Sequence, residues 1–263
     1  MEITGMTALV TGATGGIGQA IARDLAGHGA SVVLSGRRAD VLEPLAVELG
    51  GRAIVADLAG RDAVAALMED CGPIDILIAN AGLPGSGTLT DFDPGQVDRV
   101  LDVNLRAPVM MARLATGEMI SRRRGHLVFV SSVSGKIATG GASLYNATKF
   151  GLRGFSLALR EDLRPHGVGV SAIYPGFIRD AGMFAEADVT LPRGIGTHTP
   201  GDVARAVSRA IERDLAEVDV APLPLRLGAR IAGVAPGLSA RIQRLAGSDR
   251  VTRELAEGQR DKR

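Results

Sequence analysis

The sequence predicts an α/β protein of one domain, a doubly wound parallel sheet covered by helices on both faces. Three observations predict it. Short apolar, β-branched runs recur between longer amphipathic segments, the alternation that repeated strand–helix units produce. The runs are apolar nearly throughout instead of at every second residue, as strands buried on both faces are. The early amphipathic segments each close on glycine, which commonly ends helices. With 263 residues, 46% of them hydrophobic, the chain can bury a substantial single core.

The elements follow in order. TALV at 7–10 opens the sheet, and a glycine-rich turn leads into the helical pattern IGQAIARDLAGHG. SVVLS at 31–35 and RAIVA at 52–56 are the next strands, with ADVLEPLAVELG between them as a helix. RDAVAALMEDCG is the helix before IDILIA at 74–79, and HLVFVS at 126–131 is the fifth strand. SLYNATKFGLRGF, residues 143–155, has helical spacing and places Tyr145 and Lys149 four apart on one face. VGVSAIY at 168–174 and EVDVA at 217–221 complete seven strands.

Between the last two strands the periodicity lapses over residues 177–199, as in a loop or small lid. A helix restarts at Thr199, Pro200, Gly201 and Asp202, with Thr as N-cap, Pro at the first helical position and Asp three residues after the cap. The domain is expected to span 1–247. Within it, 222–247 forms a C-terminal helical extension whose Leu and Ile residues are interspersed with Arg226, Arg230, Arg241 and Arg244. That extension fits a membrane-surface element or a cover for a hydrophobic substrate, but is expected as a packing or oligomer element. Residues 248–263 are mostly charged and expected to form a flexible tail.

Thirty basic against 29 acidic residues leave a net charge of +1, without the excess that draws proteins to nucleic acid. The run Ser121, Arg122, Arg123, Arg124 reads as a solvated helix end. Cys71 is the sole cysteine, so an internal disulfide and a cysteine metal cluster are excluded and a reducing compartment fits. The N terminus lacks secretory character and no run approaches the ~20 apolar residues of a membrane span. A cytoplasmic protein is expected, with no metal.

Thr11 to Gly18 reads TGATGGIG at the turn from first strand to first helix. Gly12, Gly16 and Gly18, with Thr14 and Ile17 among them, allow a tight turn and close approach of a dinucleotide pyrophosphate to a helix N terminus. This makes the fold Rossmann-like. An acid at the end of the second strand commonly holds the ribose of NAD, whereas here Arg37 and Arg38 follow Gly36. Two guanidinium groups suit a 2'-phosphate, so NADP(H) is favoured over NAD(H); the alternative is that both arginines merely end a surface strand.

TGATGGIG, NAG at Asn80–Gly82, VNL at Val103–Leu105, SSVS at Ser131–Ser134, YNATK at Tyr145–Lys149 and YPG at Tyr174–Gly176 together resemble the short-chain dehydrogenase/reductase family, in its order and spacing. The resemblance covers about residues 4 to 220. It implies a catalytic set of Asn104, Ser132, Tyr145 and Lys149. Tyr145 is implied as acid/base, Ser132 as hydrogen-bond donor to the substrate oxygen, and Lys149 as the group that lowers the phenol pKa and binds the nicotinamide ribose. Asn104 is implied to hold a water in the proton relay, or else is a helix cap or satisfied buried amide. Ser131 and Ser134 are structural candidates. Asp57 is implied at the adenine edge, with an N-cap as its alternative.

The cofactor set implied is Gly12, Thr14, Gly16, Ile17, Gly18, Arg37, Arg38, Asp57, Leu58, Asn80, Tyr145, Lys149, Pro175 and Ile178. One position departs from the family pattern. Where a threonine usually contacts the nicotinamide amide, the chain reads Phe177, Ile178, Arg179, Asp180. A carboxylate there needs Arg179 or a helix end to offset it near a pyrophosphate, and the Ile178 amide remains as a donor.

The implied activity is NADP(H)-dependent interconversion of a ketone or aldehyde and an alcohol. The lid residues Phe177, Ile178, Met183, Phe184, Val189 and Leu191 suggest an apolar substrate, lipid-, steroid- or retinoid-like or acyl. A homodimer or homotetramer is expected. The rival reading is a catalytically weak, cofactor-sensing regulator of the same fold; such proteins typically lose the acid/base tyrosine, which is present here.

Overall fold

The computed structural model describes residues 1–185, 187, 189, 196–245 and 248–259, with backbone alone for 248–250. Leu191, which the sequence places in the lid, lies outside the described residues. The strands are β1 (Thr7–Thr11), β2 (Ser31–Gly36), β3 (Arg52–Val55), β4 (Ile76–Ala79), β5 (Gly125–Val130), β6 (Val168–Pro175) and β7 (Glu217–Val220). Helices α1 (Gly16–Gly27), α2 (Ala39–Leu49), α3 (Ala63–Cys71), α4 (Pro94–Leu101), α5 (Ala107–Ser121) and α6 (Ser143–Leu163) precede β6. After it come α7 (Gly182–Ala185), α8 (Pro200–Arg213), α9 (Leu223–Val234), α10 (Pro236–Leu245) and α11 (Ser248–Gly258).

All seven strands pair in parallel, in the order β3-β2-β1-β4-β5-β6-β7. Alternate strand residues serve opposite faces. Leu9, Val33, Leu77, Leu127 and Phe129 pack with Met111 and Met119 of α5 and Leu152 and Leu163 of α6. Val10, Leu34, Ile78, Val128 and Ile173 pack on the other side with Ile21 and Leu25 of α1 and Val203 and Val207 of α8. At roughly 1.5–3 kcal/mol per buried side chain, this two-faced burial outweighs helix propensities worth tenths of a kcal/mol per residue.

The chain turns from β1 to β2 on one side and returns to the other side of β1 for β4. The turns leaving β1 and β4 therefore diverge, opening a crevice at their C-terminal ends. Thr11 fixes its floor: Thr11 Oγ1 donates to the Ile78 carbonyl (3.2 Å) and accepts from the Asn80 and Ala81 amides (3.1 and 3.2 Å).

The start of α8 is built as its residues predict. Thr199 Oγ1 accepts from the Asp202 amide (3.1 Å), and the Thr199 amide donates to Asp202 Oδ2 (2.8 Å). The bonds the carboxylate accepts, from the Thr199 amide foremost and then from the Thr199 hydroxyl and Arg205, hold the Asp202 carboxyl down at about 2.

Two expectations need correction. The arginine run after α5 is not merely solvated: Arg122 and Arg124 turn back onto the buried carboxylate of Asp75 (3.3 and 3.1 Å). That carboxylate also accepts from the Thr7 amide (3.0 Å), which ties the end of α5 to the start of β1. The charged tail does not fray over 248–258 but forms α11. Val251 and Thr252 are buried, and they line the central cavity with Leu255 and Gln259; the charge count hid this helical spacing.

Candidate active site

The crevice opens into one cavity of about 1290 Å³, glycine-lined at one end and apolar at the other. At the glycine end, backbones touch. A methyl group at Gly12 would come within 2.8 Å of Ala81 Cα, one at Gly18 would strike the Gly12 carbonyl, and one at Gly16 would strike the Ala181 side chain. Gly12 also holds φ at +65°, which side chains disfavour. Gly15 precedes α1 with no side-chain cap and no acid follows in the first turn, so first-turn amides remain available to an anion. Asn80 Nδ2 donates to the Thr11 and Gly12 carbonyls (2.9 and 3.3 Å), tying the loop to the end of β4.

Arg37 and Arg38 are exposed at the cavity edge, past the end of β2. Arg38 Nη2 donates to the Thr14 carbonyl (2.6 Å) and so joins the glycine loop. Asp57 is both a turn former and an ion partner: Oδ1 accepts from the Ala59 amide (3.2 Å), and Oδ2 pairs with Arg99 (2.9 Å). Burial opposes its ionisation, but the Arg99 and Ala59 bonds outweigh it and hold the carboxyl below its ordinary value. Leu58 is buried and lines the same end. These residues fit a dinucleotide: a backbone cradle only glycine permits, open helix amides and, at the edge, Arg37 and Arg38.

Tyr145 and Lys149 of α6 line the cavity, as does Ser132. Ser132, extended at φ −166°, caps a short turn by accepting from the Ser134 amide (3.1 Å). Its hydroxyl also meets the Tyr145 phenol. Asn146 clamps that loop, with Nδ2 donating to the Ser134 and Ile137 carbonyls (2.7 and 2.9 Å). Ser131 Oγ is buried and donates to the Lys149 carbonyl (3.4 Å), a structural contact.

Lys149 is buried, with Nζ donating to the Val130 carbonyl (3.2 Å) and standing 5.5 Å from the Tyr145 ring centroid. Burial pushes its pKa down to about 8. Burial also pushes the Tyr145 phenol up to about 12, against the opposing bond from Ser132. The expected depression of the phenol by Lys149 is therefore not the net result, because loss of solvent dominates a site with few fixed charges. Tyr174, the other tyrosine, is wholly buried with Lys136 Nζ 3.8 Å over its ring, and is a core residue.

Asn104 sits in a π-helical stretch, Asp102–Arg106, between α4 and α5. Its Oδ1 accepts from the Leu83 amide (2.7 Å) and its Nδ2 donates to the Leu83 carbonyl (2.9 Å). Both polar atoms of the side chain are thus engaged with the Leu83 backbone. A Cβ on Gly82 would lie 3.5 Å from Asn104 Oδ1 and 3.8 Å from Lys149 Nζ, so both groups converge there.

Pro175 and Ile178 line the cavity after β6, while Asp180 does not. Asp180 is exposed and pairs with Arg179 (3.5 Å), which removes its carboxylate from the anion end. The apolar end holds Phe177 and Phe184, their rings 5.0 Å apart, with Met183. Across from them stand Leu225, Ile231, Ile242 and Leu255 of α9 to α11. Gln259 Nε2 donates to the Met183 carbonyl (2.9 Å), fastening the end of α11 to α7. Val189 is not among the lining residues. Sequence reading missed Arg99, Asn146 and Gln259. Asp93-Pro94-Gly95-Gln96 carries a helix-start signal, but nothing local shows Arg99 reaching Asp57.

The family model described as short chain dehydrogenase matches residues 6–191. Nodulation protein G of Rhizobium meliloti is 43% identical over 186 residues, covering 68% of this chain and 76% of that protein. Ketoacyl reductase HetN of a Nostoc species is 35% identical over 232 residues, 85% of this chain and 81% of its own. Among solved structures, a short-chain dehydrogenase from Sphingobium yanoikuyae in complex with NADPH superposes with a TM-score of 0.77 at 31% identity, covering 89% of this chain and 94% of that one. With its parallel seven-stranded sheet, its glycine cradle and this match over most of its length, the chain belongs to the short-chain dehydrogenase/reductase family, oxidoreductases that use a nicotinamide cofactor.

Proposed function

We propose that this enzyme is an NADP(H)-dependent reductase of an apolar ketone or aldehyde, working in reverse as an alcohol dehydrogenase. The observation that carries the proposal is that one cavity is lined by the glycine loop, by Ser132 and Tyr145, and by the apolar set Phe177, Met183 and Phe184. The NADPH in the Sphingobium structure and the ketoacyl name of the Nostoc relative are consistent with that cofactor and with an acyl or other lipid-like substrate.

The bound cofactor supplies the hydride. The amides of α1 would hold its pyrophosphate, Arg37 and Arg38 would hold the 2'-phosphate, and Asp57 and Leu58 would face the adenine. Asn80, Pro175 and the Ile178 amide would border the nicotinamide, and Lys149 would take the ribose hydroxyls. A phenol held near 12 is protonated at neutral pH, so Tyr145 is ready to donate to the carbonyl oxygen as negative charge develops there. Ser132 donates a second hydrogen bond to the same oxygen, a preorganised two-donor site. Asn104 positions the Leu83 backbone beside them.

Tyr145→Phe removes the proton donor and little else. Turnover should fall by about 10²–10⁴, while NADPH affinity, read by fluorescence titration, stays largely intact. Undiminished turnover would sink the assignment, and tight NADPH binding without turnover on any of a broad carbonyl panel would turn it toward a sensor.

A further inference from the structure

The α9–α10 hairpin carries an apolar surface that extends beyond the cavity wall onto the outside of the domain. On α9, Leu223, Leu227, Ile231 and Val234 are exposed and recur every three or four residues, forming one stripe. On α10, Leu238, Ile242 and Leu245 do the same. Val234 and Leu245 are 89% and 90% exposed, so they point away from the domain. Arg226, Arg230, Arg241 and Arg244 are exposed on the same two helices, and no Asp or Glu occurs between Pro222 and Leu245. In a chain whose whole charge is +1, four uncompensated cations on one hairpin are a strong local segregation.

We propose that this hairpin docks on the surface of an anionic lipid bilayer, with the mouth of the cavity against the membrane. Exposed leucines interleaved with arginines suit an interface where the apolar stripe enters the acyl boundary and the guanidinium groups meet lipid phosphates. A second copy fits less well, since a two-fold contact through this face would bring two arginine sets together. Among the described residues no helix is long and apolar enough to cross a membrane, so the hairpin lies along the surface. The docking face continues into the site: Leu227, Ile231 and Ile242 are exposed and also line the cavity.

The full-length enzyme should be sedimented with vesicles of phosphatidylcholine alone and with about 30% phosphatidylglycerol. Binding to the anionic vesicles is expected to be at least about tenfold stronger, and weaker at ~0.5 M salt. The double variant Val234→Glu/Leu245→Glu, and separately Arg241→Glu/Arg244→Glu, should each lower it by about tenfold or more with NADPH titration unchanged; none of these four side chains lines the cavity. Equal or absent binding to the two vesicle types overturns the proposal, as does anionic binding that neither variant weakens. Light scattering on the first variant covers the rival occupant: loss of an oligomer, with no vesicle binding in the parent, assigns the face to a second copy. Sedimentation needs no turnover, so its failure leaves the reductase reading untouched.

Discussion

Replacing Lys149 by methionine should stabilise the cofactor-free enzyme at neutral pH while crippling it. Nζ is buried and its pKa stands at about 8 instead of 10.5. Keeping it charged in the fold therefore costs roughly 3 kcal/mol, at about 1.4 kcal/mol per decade of pKa. Methionine fills a similar volume without charge, but leaves the Val130 carbonyl without its lysine donor, a loss of about 1–2 kcal/mol. The difference favours the variant by ~1–2 kcal/mol below pH 8.

The sign follows from proton binding. Between pH 8 and 10.5 the unfolded chain holds a proton that the folded one has released, so wild-type stability rises with pH through that window. The variant lacks this rise and should lose its advantage by about pH 10.5, ending less stable by the missing hydrogen bond. Urea unfolding at 25 °C from about pH 6.5 to about 10.5 measures both curves. A variant less stable at every pH, or a wild type with no rise above pH 8, refutes the reasoning.

Arg37→Asp should erase a preference for NADPH over NADH of about tenfold or more, read by fluorescence titration; equal binding of both cofactors by wild type refutes the phosphate assignment. Asn104→Ala should destabilise by about 2–3 kcal/mol, since both polar groups of Leu83 lose buried partners, whereas Asn104→Asp retains the acceptor and recovers part of it. A side chain that only held water would leave the urea midpoint unmoved. Thr199→Ala should cost about 1 kcal/mol and lower Tm by about 2–4 °C, with Thr199→Ser restoring most of it in calorimetry.

Local features were readable from the chain alone. All seven strands lie where apolar, β-branched runs place them; the inner strands are buried on both faces and so must be apolar nearly throughout, while the edge strands β3 and β7 are only partly buried. The capping residues of α8 and the glycine cradle act within a few residues of themselves. The shared face of Tyr145 and Lys149 follows from helical spacing. Other features were set by residues far apart in the chain: Arg99 meets Asp57 across 42 positions, and Asn104 grips Leu83 across 21.

Charge and burial diverge in the same way. Composition made 248–258 look like a solvated tail, but Val251, Leu255 and Gln259 find a cavity wall that exists only once β6 and α9 are in place. The resemblance also implied that Lys149 would lower the phenol. The folded site reverses the net sign, because desolvation depends on everything packed around Tyr145 and not on its neighbour four residues away. Strand pattern, turn glycines and helical phase are local, and so the sheet, the glycine cradle and the shared face of Tyr145 and Lys149 were legible in the chain. Only the tertiary structure decided their protonation, their clamps and the walls of the cavity, since burial and long-range contact arise when distant segments pack.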